Sequence, residues 1–165
     1  MERVRAGAEG VQEFLVFRLG EDLMGLPLER VSEILKPAPV TPVPRAPNDV
    51  LGILSVRGRI TTIVDLRRRL RMSDSEATRH TRFLLVRGGH EVMGLRVDAV
   101  LHVVRLREGE VEHAGLVAGD LPEHVMGIGR PWRRRAASET DLEEDVEAKD
   151  AEVIVLLDPV QLLEK

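Results

Sequence analysis

One phrase occurs twice in this chain. Residues 14–26 read FLVFRLGEDLMGL and residues 83–95 read FLLVRGGHEVMGL, an offset of 69. Aligning 14–35 with 83–104 without gaps gives eight identities in 22 positions, among them Arg18/Arg87, Gly20/Gly89, Met24/Met93, Gly25/Gly94 and Val31/Val100. In 165 residues, two such copies fit one ordinary domain or two very small ones. A short-period solenoid is excluded, because one copy spans about 70 residues and there are only two.

Each copy reads as a β-hairpin. EFLVF and RFLLV are short apolar runs rich in strand formers, and LGED and GGHE are glycine-containing turns. The return strands, LMGL and VMGLRV, carry Gly25 and Gly94 inside them. A glycine there marks a bulge, a bend or a close backbone approach, and bent strands are what small barrels need to close. Two further pieces recur. VLGILSVRGR (50–59) has a faint echo in VMGIGRPWR (125–133), and ITTIVDLRRRL (60–70) has one in VIVLLDPVQLL (153–163). In the latter pair a β-branched strand ends at an aspartate and a short helical turn follows. Asp65 and Asp158 suit the N-cap, and Pro159 the first helical position. Strands recurring every 8–12 residues argue for an all-β barrel or sandwich, here two similar small barrels.

Two segments do not repeat. KPAPVTPVPRAP (36–47) holds five of the nine prolines, cannot supply a central ladder strand, and reads as a stiff internal connector. RRRAASETDLEEDVEAKD (133–150) is polar and charged and reads as a mobile insertion.

Composition narrows the function classes. There is no cysteine, so disulfides, thiol nucleophiles and Cys-ligated zinc are excluded, and a reducing cytoplasm is the expected setting. No apolar leader opens the chain, and its apolar runs reach only about five residues against the roughly 20 of a membrane helix. The five histidines (80, 90, 102, 113, 124) form neither HxH nor HExxH, and no phosphate loop or GxSxG is present, so no enzyme and no cofactor is expected. Arg57 to Arg71 holds six arginines and one aspartate. It lacks the aromatic interleaving of a single-strand nucleic-acid platform and reads as a solvated or salt-bridged face. Nucleic-acid binding through Arg67, Arg68, Arg69 and Arg71 is the remote alternative, to be recognised by steep salt dependence.

The order of EFLVFRLGEDLMGLPLERVSEIL, VTPVPRAPNDVLGILSVRGRITTIVDLRRRL and GLRVDAVLHVVRL resembles the CheW family of chemotaxis coupling proteins, over about 13–132 and again at 152–163. Its most specific part is GILSVRGRITTIVDLR, residues 52–67. The resemblance implies two intertwined, SH3-like, five-stranded barrels with a shared core. A tail at 1–12 would precede a single domain at 13–165. The first barrel would span about 13–72 and the second about 80–132 plus 151–165, with chain ends free to cross over.

It also implies a non-catalytic, cytoplasmic adaptor recruited to receptor arrays. Its partners would be the regulatory domain of a CheA-type histidine kinase and the cytoplasmic tip of chemoreceptors, with no membrane insertion and no small-molecule substrate. Carried over by position, Val31, Glu33, Val40, Arg57, Gly94 and Val100 are the implied contact residues, with Arg57 holding a charge pair that shapes the surface. Two readings stand for Val31 and Val100, contact or core, and two for Arg57, contact surface or structural salt bridge. Gly58 suits a positive-φ turn. Ser55 departs from the family's usual asparagine, Met24 and Met93 from an aromatic, and Thr62 from a proline. These departures leave open a specialised paralogue that binds only one of the two partners.

Overall fold

FLVF, residues 14–17, is apolar on both faces, and both faces are buried. Phe14 and Val16 enter one hydrophobic cluster, while Leu15, Phe17 and Leu19 enter another. A strand buried on both faces reads as a continuous apolar run rather than an alternating one. The computed structural model describes residues 10–116, 121–131 and 152–164. The insertion at 133–150 lies outside the described residues, as does most of the 1–12 stretch. The part of that stretch that is described is not tail: Val11 and Gln12 already pair with Arg107 and Leu106.

The elements in chain order are β1 (Val11–Leu19), β2 (Asp22–Pro27), β3 (Val31–Leu35), β4 (Val50–Val56), β5 (Arg59–Asp65) and α1 (Leu66–Arg69). There follow β6 (Arg82–Gly88), β7 (Glu91–Val97), β8 (Ala99–Arg107), β9 (Val111–His113), β10 (Val125–Gly129), β11 (Ile154–Leu157) and α2 (Pro159–Leu163). Two sheets result, one of six strands in the order β8-β1-β2-β11-β10-β9 and one of five in the order β3-β6-β7-β5-β4. The all-β class holds, with two sheets resembling a double SH3-like fold. The equal five-stranded barrels do not: the sheets are unequal, and strand pairing closes neither into a barrel among the described residues.

The division of the chain near residue 72 is not the division between the sheets. The first hairpin, β1–β2, lies between β8 and β11 of the second half, and the second hairpin, β6–β7, lies between β3 and β5 of the first. The copies have exchanged hairpins. The exchange is symmetric down to its irregularities. β1 against β8 skips Leu101 between the pairs Val16/His102 and Phe17/Val100. β3 against β6 skips Ser32 between Val31/Val86 and Glu33/Leu85. Ser32 and Leu101 are 69 residues apart, so the same bulge is written twice.

Gly25 and Gly94 hold no bulge. Each marks a close approach in a parallel pairing: a Cβ on Gly25 would sit 3.1 Å from Leu156 Cδ2, and one on Gly94 would sit 2.5 Å from Ile63 Cδ1. The bulges of the later strands skip Leu51 and Met126, each just before a glycine, Gly52 and Gly127, that pairs again with β5 or β11.

The unequal strand count has a cause in composition. Where the second half supplies β9, the first has its proline-rich segment, and prolines cannot donate to a ladder. That segment manages a single bridge, Thr41 with Ile53, made of two 2.9 Å hydrogen bonds.

The aspartates cap as expected. Asp65 accepts from the Arg67 backbone N–H, and Asp158 accepts from that of Val160, each at 3.0 Å, with Pro159 in the first turn of α2. The larger cluster draws Leu15, Phe17 and Leu26 from one sheet and Leu84, Val86 and Leu95 from the other, so the two sheets share one core.

Candidate functional site

β3 and β4 are the two outer strands of the five-stranded sheet, and the proline-rich segment connects them. Between them lies a surface depression of about 360 Å³, floored by Leu35, Leu54 and Val56 and edged by Lys36 and Ser55. Arg57 and Glu33 span it. The guanidinium donates from Nη2 to Glu33 Oε2 at 2.6 Å and from Nε to Oε1 at 3.3 Å, a two-pronged contact. Arg57 and Gly58 form the two-residue β4–β5 turn with φ of +52° and +81°. Positive φ at both positions is the turn geometry that matches strand twist, and glycine meets it at no steric cost. An arginine there is uncommon, yet it is this turn that presents the guanidinium across the gap. Its hydrogen bond holds the Glu33 carboxyl below the ordinary carboxylate range, against a smaller upward push from burial, and raises the Arg57 guanidinium. Arg57 keeps 77 % of its side chain exposed, so its charge remains available to a partner.

The six implied contact residues do not gather in one place. Glu33 and Arg57 touch. Val31 lies in the same strand, half-buried and packed against the shared core. Val40 is half-buried on the proline-rich segment, next to the Thr41 bridge. Val100 packs against the shared core from the other sheet, as the repeat partner of Val31. Gly94 is buried between Ile63 and Leu85. Val31 and Val100 thus pack against the core while each stays partly exposed. The Arg57 charge pair implied by the resemblance has its partner in Glu33. The apolar floor of the depression was not singled out in the sequence. Its signal was the proline run itself: a segment barred from the ladder leaves the strands on either side of it as edges.

Three arginines of the basic stretch are engaged within the fold. Arg67 grips Asp98 at 2.6 Å, Arg68 meets Asp74 at 3.1 Å, and Arg69 meets Asp49 at 2.7 Å while donating to the Leu162 carbonyl at 2.9 Å. Arginines so paired hold loops and elements of the fold together. Among the described residues no cluster of three or more His, Asp or Glu is placed to hold a metal, and no helix is long and apolar enough to cross a membrane.

A double β-sheet unit with exchanged hairpins, a shared core and an exposed charged edge defines a class of interaction module. The CheW-like domain model matches residues 13–165, and the chain belongs to the CheW family. The chemotaxis protein CheW of Helicobacter pylori is 28% identical over 122 residues, 74% of each chain. Protein FrzA of Myxococcus xanthus is 32% identical over 123 residues, 74% of this chain and 77% of that one. The crystal structure of the scaffolding protein TtCheW from Thermoanaerobacter tengcongensis superposes with a TM-score of 0.74 at 26% identity, covering 93% of each chain. Members of this family are non-catalytic adaptors of chemotaxis signalling that link chemoreceptors and CheA-type kinases, and this chain is one of them.

Proposed function

We propose that this chain binds both the regulatory domain of a CheA-type kinase and the cytoplasmic tip of a chemoreceptor within receptor arrays. The edge formed by β3, β4 and the Glu33–Arg57 pair would serve as one of the two contact surfaces. The observation that carries this reading is the pair itself: a two-pronged ion pair laid over an apolar floor between the outer edge of β3 and that of β4, which the Thr41–Ile53 bridge covers at one point. Unpaired edges offer backbone groups to a partner, the apolar floor offers burial, and the charges set register and reject wrong partners. Val31, Val40, Gly94 and Val100 act in this reading by shaping the strands beneath the surfaces. A second reading, binding to only one partner, is favoured by Ser55, because the departure from the family's asparagine falls at the rim of this same depression.

Charge reversal tests the proposal. Arg57→Glu and Glu33→Arg should each weaken one of the two associations by roughly tenfold or more, and the double reversal should restore much of it. The melting temperature should hardly move, because exposed pairs contribute little to stability. Affinities for both partners left unchanged by either reversal would remove this edge from the contact surface.

A further inference from the structure

The exchanged hairpins carry a consequence for association. β1–β2 fills a slot whose two walls, β8 and β11, come from residues at least 70 positions further along the chain. Phe14, Val16, Phe17, Leu19 and Leu26 are wholly buried there. A single short connection, the 3-10 turn Leu28–Arg30, joins the hairpin to β3, and none of its residues is buried. Both flanks of that turn are already extended: Pro27 has φ −52° and ψ 125°, and Val31 has φ −93° and ψ 113°. Opening three residues would make β2 and β3 one continuous strand and carry the hairpin away from its own slot, at the loss of the hydrogen bonds from Arg87 to the Glu29 carbonyl and from the Val31 N–H to the Leu28 carbonyl, and of the Leu28 packing against the core.

We propose that the hairpin 11–27 is an exchangeable element, and that a second copy of this chain can fill the β8/β11 slot with its own hairpin to give a domain-swapped dimer. The slot meets identical side chains whichever copy supplies them, so the buried core is conserved and only the hinge conformation and the entropy of association differ.

The test uses hinge length and a cross-link. Glu13 and Arg105 are exposed register partners across β1 and β8, and the chain has no cysteine of its own. In a Glu13→Cys/Arg105→Cys protein the disulfide therefore reports which chain supplies the hairpin. Deleting Glu29 and Arg30 leaves too little chain to fold back. The mass by light scattering should double from 18.4 kDa, and the oxidised pair should run as a covalent dimer on a non-reducing denaturing gel. A folded deletion protein that stays monomeric, or a dimer whose cross-link remains within one chain, overturns the proposal. Should the deletion protein not fold, the full-length double-cysteine protein refolded at about 1 mM and about 1 μM decides. Interchain cross-linking that rises with concentration supports exchange, and intrachain cross-linking alone at both concentrations overturns it. None of these readouts depends on kinase or receptor binding.

Discussion

Gly52→Ala is expected to destabilise the protein by about 2–4 kcal/mol, measured as the shift in a urea unfolding midpoint at constant slope. Gly52 has φ +152°, a region L residues rarely enter, and an added Cβ would run into the Thr41 carbonyl, with the carbonyl carbon at 2.7 Å. That obstacle is backbone, held by the two hydrogen bonds of the Thr41–Ile53 bridge, and stiff prolines on either side keep it from yielding. Gly127 is the repeat-related control. Its Cβ would meet the Glu112 carbonyl oxygen at 2.6 Å, but no unfavourable φ is added, so Gly127→Ala should cost less. Gly52→Ala should also dislodge the proline-rich segment from β4 and so disturb the depression beside it. Equal, small effects at both positions would mean that the strand edges yield freely.

Asp98→Ala is expected to cost about 2–3 kcal/mol, somewhat under the cost of breaking a fully buried pair because both side chains keep some solvent contact. Asp98 lies between β7 and β8 and holds parts of both repeats. It accepts from Arg67 Nη2 at 2.6 Å and from the backbone N–H of Gly20, in the first hairpin turn, also at 2.6 Å. Its loss leaves Arg67, whose side chain is 14 % exposed, with one remaining bond, to the Ser73 carbonyl.

The same network sets an acid dependence. Burial pushes the Asp98 carboxyl up, but the Arg67 guanidinium and the Gly20 N–H outweigh it and hold the group below its ordinary range. A carboxyl lowered in the folded state contributes stability that is complete above its unfolded value, near pH 4, and is lost as pH falls through the folded value. The wild type should therefore lose stability steeply below about pH 4, and Asp98→Asn should flatten that slope. It should not abolish it, because Arg57 holds Glu33 low and Arg68 holds Asp74 low in the same way. An unchanged slope in Asp98→Asn would show that Asp98 does not carry this network.

Much of the architecture was legible in the chain. The hairpins, the capping aspartates and the positive-φ Gly58 follow from local chemistry, because turns and caps are decided by residues within a few positions. The exchange of hairpins was not legible. A repeat says which strands are alike, and for that reason cannot say which of two like strands is the partner: β3 and β8 share a pattern and a bulge, so the pattern does not tell the two slots apart. The inequality of the sheets was half legible, since the five prolines of 36–47 exclude a strand without showing that one bridge survives. At the site, the sequence pointed to Glu33 and Arg57 separately through family resemblance, while their contact depends on two strands brought together by the fold. Val31, Val100 and Gly94 were harder, because a β-branched residue or glycine in a strand looks the same whether its neighbour is core or solvent.

The central claim is that this chain couples two proteins. The direct measurement mixes the purified chain with a CheA-type kinase and a soluble chemoreceptor signalling fragment from the same organism. It follows complex formation by sedimentation, and kinase autophosphorylation with each component left out in turn. A three-component complex should form, in which receptor control of the kinase requires this chain. Binding to neither partner would contradict it.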